Sequence, residues 1–247
     1  MLPTLATSQV LNLSDAINKS GRQRMLSQRL AKAYIQIGMD IDADHSRKIL
    51  DQSLATFDRQ LVELRAFAPT GDSRAVLSDM EKVWLDYKQL LVGKASNPHD
   101  GKTVLNLSDE ILHMADNVTR QLEKHAGGTA GKLVNLAGRE RMLSQRMAKY
   151  YQAMQWGIAP ANAAAMLDTA RKEFVTALGT LNAASGANSR IKDELILAQS
   201  QWAFFDAALR QAGDAKTRRQ FAANVATTSE RILEAMDKVT GLYQQLA

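Results

Sequence analysis

The 247-residue chain predicts an all-α fold: a tandem pair of up-down four-helix bundles related by a pseudo-two-fold axis. Three observations lead there. Ala, Leu, Gln, Arg, Lys, Glu and Met dominate, and β-branched runs are scarce. Apolar residues recur at spacings of three and four, the period of an amphipathic helix. And one stretch is written twice. Residues 18–32 read NKSGRQRMLSQRLAK and residues 135–149 read NLAGRERMLSQRMAK, identical at 11 of 15 positions with an offset of 117.

In chain order, the leading helix carries the first copy of this motif and ends at a break over Gly38–Asp42. The second has its apolar stripe at Leu54, Phe57, Leu61 and Leu64 and ends before Ala68–Asp72. The third carries Val76, Met80, Val83, Tyr87 and Leu90 and ends in Gly93–Gly101, a break containing Asn97-Pro98. The fourth runs to the glycine-rich joint at 127–131, and Asp72 and Ser108 are expected as N-terminal caps. The second copy repeats the plan, with breaks near Gly157–Pro160, Ser185–Ser189 and Gly213, and with Phe174 and Trp202 matching Phe57 and Trp84. The domain boundaries are therefore 1–126, a linker at 127–131, and 132–247. Helices of about 25 residues would be roughly 38 Å long. Short connections favour antiparallel neighbours, so four helices return the chain to the end where it began. The second motif helix then starts beside the first and runs parallel to it. Side-by-side packing would imitate a parallel homodimer; a single long bundle is the other arrangement the repeat allows.

Composition removes several functions. With no cysteine there is no disulfide scaffold, thiol enzyme or cysteine-ligated metal. No apolar run is long enough to span a bilayer, and Met1–Asp15 lacks the pattern of a signal peptide. Gly127–Lys132 is a poor phosphate loop, because its glycines are too close and Leu133 stands where Ser or Thr is needed. Asp40, Asp42, Asp44 and His45 have no acidic counterpart in the second copy, so no metal is expected. No catalytic constellation and no cofactor motif appear. Few aromatics argue against a nucleic-acid platform. The formal charge of +5 is concentrated: residues 17–34 hold Lys19, Arg22, Arg24, Arg29 and Lys32 without an acid, and residues 134–151 hold Arg139, Arg141, Arg146 and Lys149 against Glu140.

On a helix, Ile17, Gly21, Arg24, Gln28, Ala31 and Ile35 share one face, as do Val134, Gly138, Arg141, Gln145, Ala148 and Gln152. Arg24 and Arg141 interrupt stripes that are otherwise mostly apolar or small. Arg22, Arg29 and Lys32 point elsewhere and are expected to snorkel or face water. A mid-helix glycine costs about 1 kcal/mol against alanine; beside the arginine it lets a helix or a ligand come close. If the two leading helices meet, Arg24 faces Arg141, and two buried guanidinium groups need neutralising. Acids from other helices, such as Asp116 and Asp237, could do so. A planar anion gripped by both guanidinium forks could do so as well. The candidate ligand-binding residues are Gly21, Arg24, Met25 and Gln28, with their matches Gly138, Arg141, Met142 and Gln145, although Met25 and Met142 also read simply as core filler.

The repeated Asn-x-x-Gly-Arg-x-Arg-Met-Leu-Ser-Gln-Arg-x-Ala-Lys resembles the motif of the PilJ-type domain, the N-terminal sensor region of type IV pili methyl-accepting chemotaxis transducers. More loosely, it is similar to helix 1 of periplasmic nitrate/nitrite sensor kinases of the NarX type. The resemblance implies a non-enzymatic, periplasmic sensory module that signals by helix shift to a membrane sensor or chemoreceptor partner. In such relatives a homodimer holds one nitrate or nitrite between two copies of helix 1, and the contacting arginine lies three residues after the motif glycine. That implies Arg24 and Arg141 here. The competing expectation is a structural or adaptor bundle that binds a protein, pilin-related or a receptor, with both arginines in internal salt bridges.

Overall fold

The computed structural model describes residues 9–184, 188–211 and 217–246. They form eight helices: α1 (Leu13–Gly38), α2 (Ala43–Phe67), α3 (Gly71–Gly93), α4 (Pro98–Ala126), α5 (Ala130–Trp156), α6 (Ala163–Ala183), α7 (Ser189–Leu209) and α8 (Arg218–Leu246). No strand occurs among the described residues, and no described helix is long and apolar enough to cross a membrane.

Local chemistry sets the ends. The Asn12 side chain accepts from the Asp15 N–H and opens α1. Thr70 and Ser73 form a reciprocal capping box on α3. Asn97 accepts from the Asp100 N–H, and Pro98 supplies the preset φ of a first helical residue. Two expected caps move accordingly. Asp72 lies in the first turn of α3, two residues past the cap. Ser108 sits inside α4, buried, its hydroxyl donating to the Leu105 carbonyl; the Asn97-Pro98 pair is the stronger start signal and leaves no reason to restart. Gly157 ends α5 at φ 74°, a left-handed conformation that suits glycine. The predicted breaks at Ser185–Ser189 and Gly213 lie partly or wholly outside the described residues.

Helix α1 packs on α2 and α4, and α3 completes that group against α4; α5 packs on α6 and α8, with α7 against α8. The most extensive contact of all joins α1 to α5. The two four-helix groups thus lie side by side along their leading helices. These helices run parallel and in register. A side chain built on Gly131 would meet Ile17, and one on Gly38 would strike the Trp156 ring. Each group has the same aromatic anchor: Phe57 stacks on Trp84 with centroids 3.9 Å apart, and Phe174 stacks on Trp202 at 4.4 Å. Burying one such side chain is worth about 1.5–3 kcal/mol. In α3 the buried apolar residues are Leu77, Met80, Trp84, Tyr87 and Leu91, while Val76, Val83 and Leu90 are half-buried at the flanks.

Candidate functional site: an arginine pair between the leading helices

The motif glycines remove two side chains where α1 and α5 touch, and the space is taken by guanidinium groups. A Cβ built on Gly21 would lie 3.1 Å from Arg24 Nη2 and 3.7 Å from Arg141 Nη2; one built on Gly138 would lie 3.3 Å from Arg141 Nη2 and 3.7 Å from Arg24 Nη2. Both arginines are buried, at 1% and 0% exposure. Neither helix opens at its glycine.

The surrounding hydrogen bonds obey the pseudo-two-fold axis. Arg24 Nη1 donates to Asp116 Oδ1 at 2.7 Å, and its Nη2 crosses to the other group and donates to Asn135 Oδ1 at 2.7 Å. Arg141 Nη1 donates to Asp237 Oδ1 at 2.5 Å, and its Nη2 crosses back to Asn18 Oδ1 at 2.7 Å. Each arginine therefore holds one acid within its own group and one amide on the opposite helix. The two acids are those anticipated from the sequence. The Nε–H of each guanidinium has no acceptor.

Cations outnumber acids around this pair. Asp116 also takes Arg120 at 3.2 Å and Arg139 at 3.8 Å, and Asp237 also takes Arg22 at 2.7 Å. Burial lowers the affinity of both arginines for their protons, and the acids oppose it; Arg141 comes down to about 10 and so keeps its charge at neutral pH. Burial pushes the Asp237 carboxyl up, but Arg141 and Arg22 outweigh it and hold it below the ordinary range.

The other expected residues frame the pair. Gln28 Nε2 donates to the Ser108 carbonyl at 2.8 Å, and Gln145 Nε2 to the Ser229 carbonyl at 2.9 Å, tying each leading helix to the last helix of its group. Met25 and Met142 are buried in the apolar core and take no part in the arginine hydrogen bonds.

One expectation fails. Lys32 does not face water: it is fully buried, its Nζ donating to Ser229 Oγ at 3.0 Å and pairing with Glu230, which Arg29 also grips. Its match Lys149 is buried as well and reaches Ser108 Oγ at 3.0 Å and Asp109 at 2.8 Å. Both lysines cross from one group to the last helix of the other. Position on the outer flank of α1 suggests solvent only if α1 stands alone; packing against α5 brings α8 over that flank. Desolvation lowers Lys149 to about 8. Glu230 is raised by burial but pulled down more strongly by Lys32 and Arg29, to about 2. The sequence signal that could have revealed these clasps is the recurrence of Ser108-Asp109 as Ser229-Glu230. Glu140, next to Arg141 in sequence, is fully buried with neither carboxyl oxygen partnered, and desolvation raises it well above the ordinary range.

Among the described residues, no group of three or more metal-ligating side chains converges, so Asp40, Asp42, Asp44 and His45 stay apart as a site. Comparison with curated proteins returns no match, and comparison with solved structures returns none. A family model does match: "Type IV pili methyl-accepting chemotaxis transducer N-term", PilJ, over residues 5–110 and again over 126–228. The two matched stretches contain both motif helices and stop short of Asp116 and Asp237. With most of its length matched in two tandem copies, the chain belongs to the PilJ family, the N-terminal sensory domains of type IV pili chemotaxis transducers.

Proposed function

We propose that this sensory module detects a small planar oxyanion, nitrate or nitrite, held between Arg24 and Arg141, and reports it by a shift of α1 against α5. The observation that carries the reading is the convergence of two buried guanidinium groups on a glycine-cleared contact, each with an Nε–H lacking an acceptor. Nη2 of each arginine rests on a neutral amide oxygen, Asn135 or Asn18. A charged acceptor there makes the stronger hydrogen bond, so an anion can displace the amides while Asp116 and Asp237 stay in place. Because those amides belong to the opposite helix, displacing them changes what holds α1 to α5. Small changes of this kind are amplified where packed helices have two discrete arrangements. Gly21, Gly138, Gln28 and Gln145 would position the helices, and Met25 and Met142 would close the apolar flank.

The units doing this would be residues 1–126 and 132–247 joined by 127–131, working in the periplasm beside a membrane-bound chemoreceptor partner. A second reading rests on the acids themselves. Arg24–Asp116 and Arg141–Asp237 are internal salt bridges, as an adaptor bundle that binds a protein such as a pilin would have. Titration calorimetry with nitrate, nitrite, chloride and sulfate separates the two. Four heavy atoms at about −1.5 kcal/mol each limit nitrate to a Kd of tens of micromolar at best. Saturable nitrate or nitrite heat, abolished in Arg24→Ala, supports the anion reading; no heat, or heat indifferent to Arg24, leaves the adaptor.

A further inference from the structure

The α6–α7 hairpin of the second half carries no charge where its counterpart in the first half carries many. Residues 174–184 and 195–205 contain no charged residue. The matching 57–67 hold Asp58, Arg59, Glu63 and Arg65, and 77–87 hold Asp79, Glu81, Lys82 and Asp86. In the first half these groups bridge the helices: Arg65 pairs with Glu81, and Asp58 accepts from Trp84 Nε1 at 2.8 Å and pairs with Lys88 at 2.5 Å. Asn182, Gln199 and Val175 stand at the places of Arg65, Glu81 and Asp58.

The loss is concentrated on the solvent side of α7. This helix packs on α8 and α6 and buries Ile191, Leu195, Ala198, Phe205 and Leu209. Its opposite face presents Ile196, Leu197, Ser200, Ala203, Phe204 and Ala207. Ile196 is 61% exposed and Phe204 64%. The same face of α3 reads Ser78, Asp79, Lys82, Leu85, Asp86 and Gln89. Exposed apolar residues scattered singly are ordinary, but a contiguous patch marks an interaction surface.

The pattern of this stripe selects its occupant. It is nearly symmetric about Ser200: Ile196 and Leu197 stand four and three places before it, Ala203 and Phe204 three and four after. In an antiparallel pair of α7 helices centred on Ser200, Ile196 of one lies over Ala203 of the other, and Leu197 against Phe204. Ser200, Ala203 and Ala207 are small enough for a close approach. Charges stand only at the ends, Arg190, Lys192, Asp193 and Glu194 before the stripe and Asp206 and Arg210 after it. Each end is balanced in sign, so laying one on the other opposes no net charge, and antiparallel helix dipoles attract. We infer that this face docks a second copy of the chain, α7 against α7 across a two-fold axis. A patch one helix wide falls short of the roughly 1,200 Å² that stable interfaces bury. The pairing is therefore weak, with a Kd on the order of 100 µM. It leaves the α1–α5 contact and its arginines untouched.

Sedimentation equilibrium of the whole chain over about 10 µM to 1 mM, bracketing that constant, tests this. A reversible monomer–dimer equilibrium is expected. Phe204→Asp and Ile196→Ser install the residues that α3 carries at exposed places, and each should weaken the dimer at least tenfold with helix content unchanged by circular dichroism. The chain has no cysteine, so Ser200→Cys and Lys82→Cys each place a single thiol at matching positions of α7 and α3. A short bismaleimide should join Ser200→Cys chains into dimers much faster than Lys82→Cys chains. A monomer at every concentration overturns the inference. So does a dimer that both α7 variants leave intact, and so do equal cross-linking rates. Nitrate heat is indifferent to Phe204→Asp, so this face and the arginine pair can fail independently.

Discussion

The two halves share a motif, and at its centre they are equivalent to within a few tenths of an ångström in their hydrogen bonds. Away from it they part. Gln23 in the first half becomes Glu140 in the second; Ala33 and Gln36 become Tyr150 and Ala153; Glu123 becomes Gln244. Gln23 Nε2 donates to the Phe57 carbonyl at 3.3 Å, whereas Glu140, in the matching place, has no partner. The lesson is that the arginine pair demands symmetry from both halves, while the flanks are free to hold an amide with one hydrogen bond on one side and a stranded acid on the other.

The largest test of equivalence removes the acids of the pair. Asp116→Ala and Asp237→Ala each leave a buried arginine without its carboxylate and should each cost about 3–5 kcal/mol in urea unfolding. A cost below about 1 kcal/mol in one and not the other would break the symmetry at its centre.

Next come the acids of the flank. Glu140 holds its proton in the folded chain at pH values where the unfolded chain has released it, so its burial removes stability as pH rises above about 4.5. Glu140→Gln should raise stability by about 1–3 kcal/mol at pH 8 and have little effect near pH 4. Gln23→Glu should bring the penalty to the first half. Equal effects of Glu140→Gln at both pH values would show that the carboxyl is not held neutral.

Glu230 works in the opposite direction. Its folded value is depressed to about 2, so its contribution is present above about pH 4.5 and lost as pH falls toward 2. Glu230→Gln should cost on the order of 2 kcal/mol at pH 6 and flatten that acid limb, as followed by circular dichroism. The smallest effects belong to the glycines. Gly21→Ala and Gly138→Ala gain about 1 kcal/mol of helix propensity. They lose a comparable amount by pushing the end of a guanidinium, which can give way. Net changes should stay within about 1 kcal/mol, while nitrate heat, if the anion reading holds, should vanish.

Much of this was legible in the residues. The helix period gave the elements, the 117-residue offset gave the duplication, and the interrupted stripe singled out Arg24 and Arg141, for which Asp116 and Asp237 were examples of acids on other helices that could pair with them. What stayed hidden depends on which helix crosses over which. Lys32 reads as a surface lysine because a periodicity argument sees one helix and its own face; its burial, and that of its match Lys149, is created by α8 and α4 of the opposite half. The Ser108 cap failed because a hydroxyl that caps a start and one that bonds back to a helix carbonyl look alike in sequence.

The joint at Gly127–Thr129 gives the Lys32 and Lys149 clasps another meaning. Two separate copies would meet only as often as their abundance allowed and would part on dilution. Three residues of tether hold each copy at a local concentration on the order of millimolar or more relative to the other. The pairing of α1 with α5 is then first-order, indifferent to how much protein a cell makes. Each copy always meets the same, non-identical partner, so a substitution on one side is never diluted by mixing. That is the condition under which Ala33 and Tyr150 can stay different.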